Sequence, residues 1–148
     1  MSKQAPSISS GVAGPSGLLH LPRLWQKACL AAVDKLHPEY VACGPGLDQM
    51  LLDGLGIERD TFLDFITAKR PTYPQLESWV DAQGERGLDS ALVNQINQAV
   101  AACRHRESVR SEILNDCGIA AEGVLFSALS LNDLDDWGAF YRDEIAGA

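Results

Sequence analysis

The chain has 148 residues, 46% hydrophobic and 22% charged, a composition that suits one globular domain with a substantial core. It contains 20 acidic and 12 basic residues, and the resulting formal net charge of -8 repels phosphate groups. This charge argues against a nucleic-acid partner and against docking on an anionic membrane surface.

The first 17 residues, MSKQAPSISSGVAGPSG, contain a single lysine and no apolar run. Such a segment resembles neither a secretory signal nor a membrane anchor. Its serine, glycine and proline content is typical of chain that cannot bury enough apolar surface to fold. We therefore predict a disordered N-terminal tail over residues 1–17, followed by a helical domain over residues 18–146.

From Leu18 onward, apolar residues recur at helical spacing, and no alternating run of β-branched residues lies between hairpin turns. The pattern predicts an all-α fold, a single compact domain of about six or seven short helices. Pro22 suits the first turn of the first helix, which we expect to end near Leu36. Apolar residues cover most of this helix and leave a narrow polar stripe with Arg23 and Lys27, so we expect it to lie deep in the fold.

Capping signals define the later helices. The second helix ends at Gly54 or Gly56, and Thr72 opens the fourth through a capping box. Asp89 precedes the longest helix, and Gly118 ends the sixth. We expect Ser130 to cap the last helix, whereas the segment 120–130 before it is ambiguous.

Three tryptophans, Trp25, Trp79 and Trp137, lie on predicted helices beside aliphatic residues, and core anchoring is the expected role for them.

Several segments follow one another in the order GLLHLPRL, Lys27, Tyr40, GLDQMLLDGLGI, Phe62 and LESWV. Their order and spacing over about Gly17 to Val80 resemble the bacterial family called domain of unknown function 5069. The second half of the chain matches more loosely, with Ile96-Asn97 where relatives tend to have Trp-Asn. The resemblance implies a small cytoplasmic helical protein and carries over no reaction.

The resemblance brings together four polar residues, Arg23, Lys27, Tyr40 and Asp48, as ligand-binding candidates. Arg23 and Lys27 are one helical turn apart, so they share a face on which two cations could hold a carboxylate or phosphate. In the favoured alternative, one of these cations pairs with Asp48 and fixes the first helix against the second.

Cys43 is the candidate reactive thiol, because it lies on a predicted loop near Tyr40 with His37 as the nearest potential base. A packing role is more common for a single cysteine. Cys29, Cys103 and Cys117 fall on apolar faces, and the absence of a C-x-x-C pair predicts no metal site. We also predict no cofactor, and the four separated cysteines favour a reduced, cytoplasmic protein.

The acidity is concentrated at one end of the chain. Residues 107–148 contain 2 basic and 9 acidic residues, whereas residues 1–106 contain 10 and 11. The spacing of Asp133, Asp135 and Asp136 does not fit a calcium loop, and stabilisation of a first helical turn is the favoured role. We expect an acidic face on the last two helices that could bind a basic protein partner.

Two functional hypotheses follow. The first is a non-enzymatic binding or regulatory module that acts through protein or small-ligand contacts. The alternative is a small cofactor-independent enzyme or ligand-binding protein that holds an anionic metabolite with Arg23 and Lys27. In that alternative, Tyr40 or Asp48 would serve in proton transfer, and the four residues would line one pocket. The sequence does not decide whether the protein is an enzyme.

Overall fold

Seven α-helices run through residues 2–120 and 126–148, the part of the chain that the computed structural model describes. They are α1 (Leu21–Ala32), α2 (Leu47–Leu55), α3 (Arg59–Lys69), α4 (Tyr73–Gln83), α5 (Ser90–Ala102), α6 (Glu107–Asp116) and α7 (Ala128–Phe140), which continues into a π-helical turn (Tyr141–Ile145). The described residues form no strand, and the predicted all-α fold class is confirmed. None of their helices is long and apolar enough to cross a membrane.

Most helix ends follow the capping signals of the sequence. Gly56 ends α2 with a φ of 69°, a left-handed conformation that glycine adopts without steric cost. Thr72 forms the expected capping box at the start of α4, and the side chain of Asp89 accepts a backbone N–H in the first turn of α5. Gly118, with a φ of 74°, closes α6 in a Schellman motif.

Two helix ends differ from the prediction. The first helix ends before Leu36, because the backbone turns at Asp34, which has a φ of 56°. The last begins earlier than expected, since the Ser127 hydroxyl accepts the N–H of Ser130, and Ser130 therefore lies inside α7. The ambiguous segment before this helix includes residues 121–125, which are outside the described part of the chain.

The main core surrounds α1, which packs against α3 and α4, while α2 packs against α5. Its largest fully buried side chains include Phe62, Leu18, Leu21, Leu24, Leu51, Leu52, Ile66 and Leu76. A smaller cluster of Ile113, Leu114 and Leu131 joins α6 to α7. The expectation that the first helix lies deep in the fold agrees with this arrangement.

The three tryptophans have different environments. Trp25 packs against the main core and donates its indole N–H to the Pro71 carbonyl at 2.9 Å. Trp79 stacks on Phe65 with 4.3 Å between ring centroids. Trp137, in contrast, is 64% exposed, so its predicted role as a core anchor is wrong. The α7 residues that pack in the small cluster are Leu131 and Leu134.

The N-terminal segment, predicted to be disordered over residues 1–17, makes specific contacts in the structure. Gln4 exchanges backbone hydrogen bonds with the chain after α1, at 2.7 Å and 2.9 Å. The Gln26 side chain accepts the N–H groups of Ser7 and Ile8, and Ser10 is fully buried. These hydrogen bonds, together with the buried Pro6, hold the segment against the domain in the structure, and composition does not report such contacts.

Candidate functional site

The polar stripe of α1 faces the interior of the protein. Arg23 and Lys27 are only 4% and 8% exposed. Lys27 faces Asp48 in the first turn of α2, and Arg23 faces Asp136 on α7. Because buried charges are costly without partners, each of these side chains must be hydrogen-bonded. The two resulting ion pairs connect α1 to two other helices.

Asp48 is the centre of the first group. Its Oδ2 atom accepts a hydrogen bond from Lys27 Nζ at 2.5 Å and from the Gly44 backbone N–H at 2.7 Å. Its Oδ1 atom lies 2.6 Å from Nε2 of His20. The pairing of Lys27 with Asp48 that the sequence suggested is therefore present. The same carboxylate provides the hydrogen-bond acceptor for a backbone N–H of the glycine-rich turn before α2.

The ionisation of Asp48 fixes the tautomer of His20. Burial raises the pKa of Asp48, but the hydrogen bond from His20 and the charge of Lys27 outweigh burial and hold it at about 2. At neutral pH Asp48 is a carboxylate that can only accept, so Nε2 of His20 carries the proton. Burial also lowers the pKa of His20, which keeps the ring neutral and leaves Nδ1 as an acceptor.

His20 is unusual in its backbone as well as its side chain. It has a φ of 72°, which is uncommon for a residue with a side chain, and it precedes α1 without forming a side-chain cap. The residue is 1% exposed. Within the described residues, its Nδ1 is the buried side-chain nitrogen or oxygen that has no hydrogen-bond partner. Backbone strain and an unpartnered buried acceptor at one residue are typical of a functional position.

Arg23 and Tyr40 form the second group around Asp136. The two terminal nitrogens of Arg23 donate to the two carboxylate oxygens at 2.5 Å and 3.0 Å, and the Tyr40 hydroxyl donates to Oδ1 at 3.0 Å. Arg23 also donates to the Ile8 carbonyl at 3.0 Å. Asp136 therefore fixes α7 to α1 instead of stabilising a first helical turn.

A cavity of about 330 Å³ lies beside both groups. All four candidate residues, Arg23, Lys27, Tyr40 and Asp48, contribute to its wall, together with His20, Glu39, Val41, Gly46, Leu47, His105, Val109, Ile113, Asn132 and Asp135. The structure thus brings the predicted group together around one space. Whether these residues bind a ligand stays a prediction.

The charges around the cavity do not favour an anion. Arg23 and Lys27 are the cations of its wall, and each is already paired with a carboxylate. Asp135 also contributes, and burial together with nearby Asp136 and Glu39 raises the pKa of its carboxyl. Burial and Asp136 raise the pKa of Tyr40 too, so its hydroxyl stays protonated. The polar wall is thus rich in carboxylates.

The candidate reactive thiol, Cys43, is not accessible. Its side chain is fully buried in the main core, in the turn before α2. Burial and the Asp48 carboxylate raise the pKa of the thiol, which makes it a poor nucleophile. The suggested base, His37, has its Nε2 atom 3.1 Å from Asp143. Cys43 therefore has the packing role that was its alternative.

His20 and Asp136 are the site residues that sequence reasoning missed. His20 stands directly before Leu21-Pro22, at the helix N-cap, where Ser, Thr, Asp or Asn is the usual residue. A histidine at this N-cap position was therefore the signal in the sequence that could have identified the residue. Asp136 gave no comparable signal, since it belongs to an acidic run and its partner Arg23 is distant in sequence.

Comparison with known proteins adds no relative to this picture. No family model matches the chain, and no curated protein matches it. The resemblance to domain of unknown function 5069 over about Gly17 to Val80 therefore stays a prediction.

Proposed function

We propose that the protein binds a small polar ligand in the cavity beside His20, and that the ligand donates a hydrogen bond to Nδ1. The observation that carries this proposal is the buried Nδ1 atom, an acceptor without a partner among the described residues. A buried acceptor without a hydrogen bond costs free energy, and a ligand N–H or O–H group would remove that cost.

The lining of the cavity supports a neutral or cationic ligand. Glu39, Asp48 and Asp135 outnumber the two cations of the wall, and Asp136 adds a further carboxylate behind Arg23. An anion would have to compete with Asp48 for Lys27 and with Asp136 for Arg23. The alternative of an anionic metabolite held by these two cations therefore has less support.

Binding is the activity proposed, and catalysis is not required for it. Asp48 orients His20 in the way that a carboxylate orients a general base, but no proton transfer is proposed for this pair. The four free cysteines also fit the reducing conditions of the cytoplasm, where we propose that the protein acts.

Nuclear magnetic resonance on protein with nitrogen-labelled histidines tests this proposal. The free protein should show His20 protonated at Nε2 and bare at Nδ1. Small amines, alcohols and carboxylates are then added separately. We expect amines or alcohols to shift the His20 Nδ1 resonance, while carboxylates leave it unchanged.

His20→Asn is the matched variant, because asparagine tolerates a positive φ, and it should reduce ligand affinity about tenfold. Tyr40→Phe provides a second variant that removes only a hydroxyl from the cavity wall. Asp53→Asn, an exposed change on the same helix as Asp48, is the control and should bind normally. Carboxylates that bind through Lys27, or no probe that reaches Nδ1, would overturn the proposal.

A further inference from the structure

A second cavity lies between the N-terminal segment and α7, and Asp136 contributes to its wall. This groove has a volume of about 470 Å³. Residues 3–7 and Ser9 form one wall, and the other wall comes from α7 and the turn that follows it. The N-terminal segment that forms the first wall is attached to the chain after α1 through Gln4 and to α7 through the Ser10–Asn132 hydrogen bond.

The helical wall of the groove is aromatic. Trp137 and Phe140 both line it, and they are 64% and 59% exposed. They are three residues apart on one helix, so their rings lie on the same face. Single exposed apolar side chains are common on protein surfaces, whereas several that lie together typically mark an interaction site.

Carboxylates frame these rings. Asp133, Asp143 and Glu144 line the groove, and Asp136 lies at its inner end, bound to Arg23. Asp143 contacts His37, but no ion pair joins Asp133 or Glu144 to another residue in the described part of the chain. The cation in the groove, Lys3, is already held by Asp34 at 2.6 Å. The groove is therefore negatively charged around an aromatic centre.

We propose that this groove docks a basic segment of a partner protein, with an arginine or lysine side chain lying on Trp137 and Phe140. An aromatic face attracts a cation, and the apolar stem of a long basic side chain covers ring surface. Asp133 and Glu144 would then pair with the charged end or with a neighbouring basic residue. This docking is independent of the small-ligand cavity, because none of these four residues lines that cavity.

Fluorescence polarisation with a labelled peptide of alternating arginine and alanine tests the proposal, with a peptide of alternating glutamate and alanine for comparison. The arginine peptide should bind, and its affinity should fall as salt is added, because exposed charges are screened. The glutamate peptide should not bind.

Single substitutions separate the groove from the general negative charge of the protein. Trp137→Ala should weaken binding of the arginine peptide about tenfold, and Glu144→Gln about threefold. The matched controls are Tyr141→Ala, an exposed aromatic residue outside the groove, and Glu85→Gln, an exposed carboxylate in a distant loop. All four positions are exposed, so the variants should fold as the unmodified chain does.

Three outcomes would overturn the proposal. The first is that the peptide does not bind. The second is that all four variants bind it equally, which would assign the binding to net charge alone. The third is a dimer that Trp137→Ala dissociates, which would assign the aromatic face to a second copy of the chain.

Discussion

Replacement of Asp48 by asparagine tests the structural basis of the site most directly. The substitution keeps the shape of the side chain and removes its charge. Lys27, 8% exposed, then loses its counter-ion, and the Gly44 N–H competes for the same oxygen. The asparagine amide also has an NH₂ group in place of one carboxylate oxygen. One of the donors that now bonds to Asp48 would therefore face another donor. We expect Asp48→Asn to be strongly destabilising.

Two independent arguments give the size of the expected loss in the free energy of unfolding. The pKa of Asp48 is lowered from 3.8 to about 2, which corresponds by linkage to about 2.5 kcal/mol of stability at neutral pH. Removal of one partner of a buried pair costs about 3–5 kcal/mol, because the remaining charge is left uncompensated. We therefore expect Asp48→Asn to lower the free energy of unfolding at pH 7 by about 3–5 kcal/mol.

Urea unfolding followed by tryptophan fluorescence measures this loss, and its pH dependence checks the cause. The folded-state pKa of Asp48 lies below the unfolded-state value, so its contribution is complete above about pH 4 and disappears as the pH falls through about 2. The difference between the original protein and Asp48→Asn should narrow over that range.

Two further variants make the result interpretable. In Lys27→Met/Asp48→Asn the uncompensated ammonium is gone, so the double variant should lose less stability than the two single changes together. Asp53→Asn, an exposed change on the same helix, should stay within about 0.5 kcal/mol of the original protein. A loss below about 1 kcal/mol for Asp48→Asn, with an unchanged acid profile, would refute the buried ion pair as described.

Two other predictions concern the fold around the site. Gly56→Ala should cost about 1 kcal/mol in urea unfolding, because a side chain at a φ of 69° is strained, whereas Gly84→Ala, at a φ of -106° with open space around it, should be nearly neutral. Equal effects would contradict this account. Brief alkylation followed by mass spectrometry should label Cys43 last among the four cysteines, because burial raises its pKa and shields its sulfur. Early labelling of Cys43 would show that the turn before α2 opens readily.

Local signals in the sequence predicted much of the fold. Helix caps are local, because each capping group bonds to backbone atoms only a few residues away. A short stretch of sequence is therefore enough to predict the capping box at Thr72, the cap at Asp89 and the glycine that ends α6. The contacts of the N-terminal segment could not be predicted, for the opposite reason. Its attachment depends on hydrogen bonds to Gln26 and to the chain after α1, and composition alone does not report such partners.

The candidate site was only partly predictable because its second half is assembled over long range. Arg23 and Lys27 share a helical face, so their proximity could be inferred, and Asp48 is near enough in sequence to be considered. The partner of Arg23 is 113 residues away and lies in an acidic run that has no distinguishing pattern. Only the tertiary fold, in which α7 packs against α5 and α6, selects Asp136 from that run as the partner of Arg23.

The choice of Asp136 also connects the cavity and the groove through one ion pair. The Arg23–Asp136 pair contributes one member to each space, since Arg23 lines the cavity and Asp136 lines the groove. Both side chains are largely buried, at 5% and 12% exposed, and the bidentate contact holds them together. Removal of either partner would leave the other charge buried without its counter-ion, which is costly. The ion pair therefore joins the lining of the two spaces, and its cation and its carboxylate are paired with each other before any ligand or partner binds.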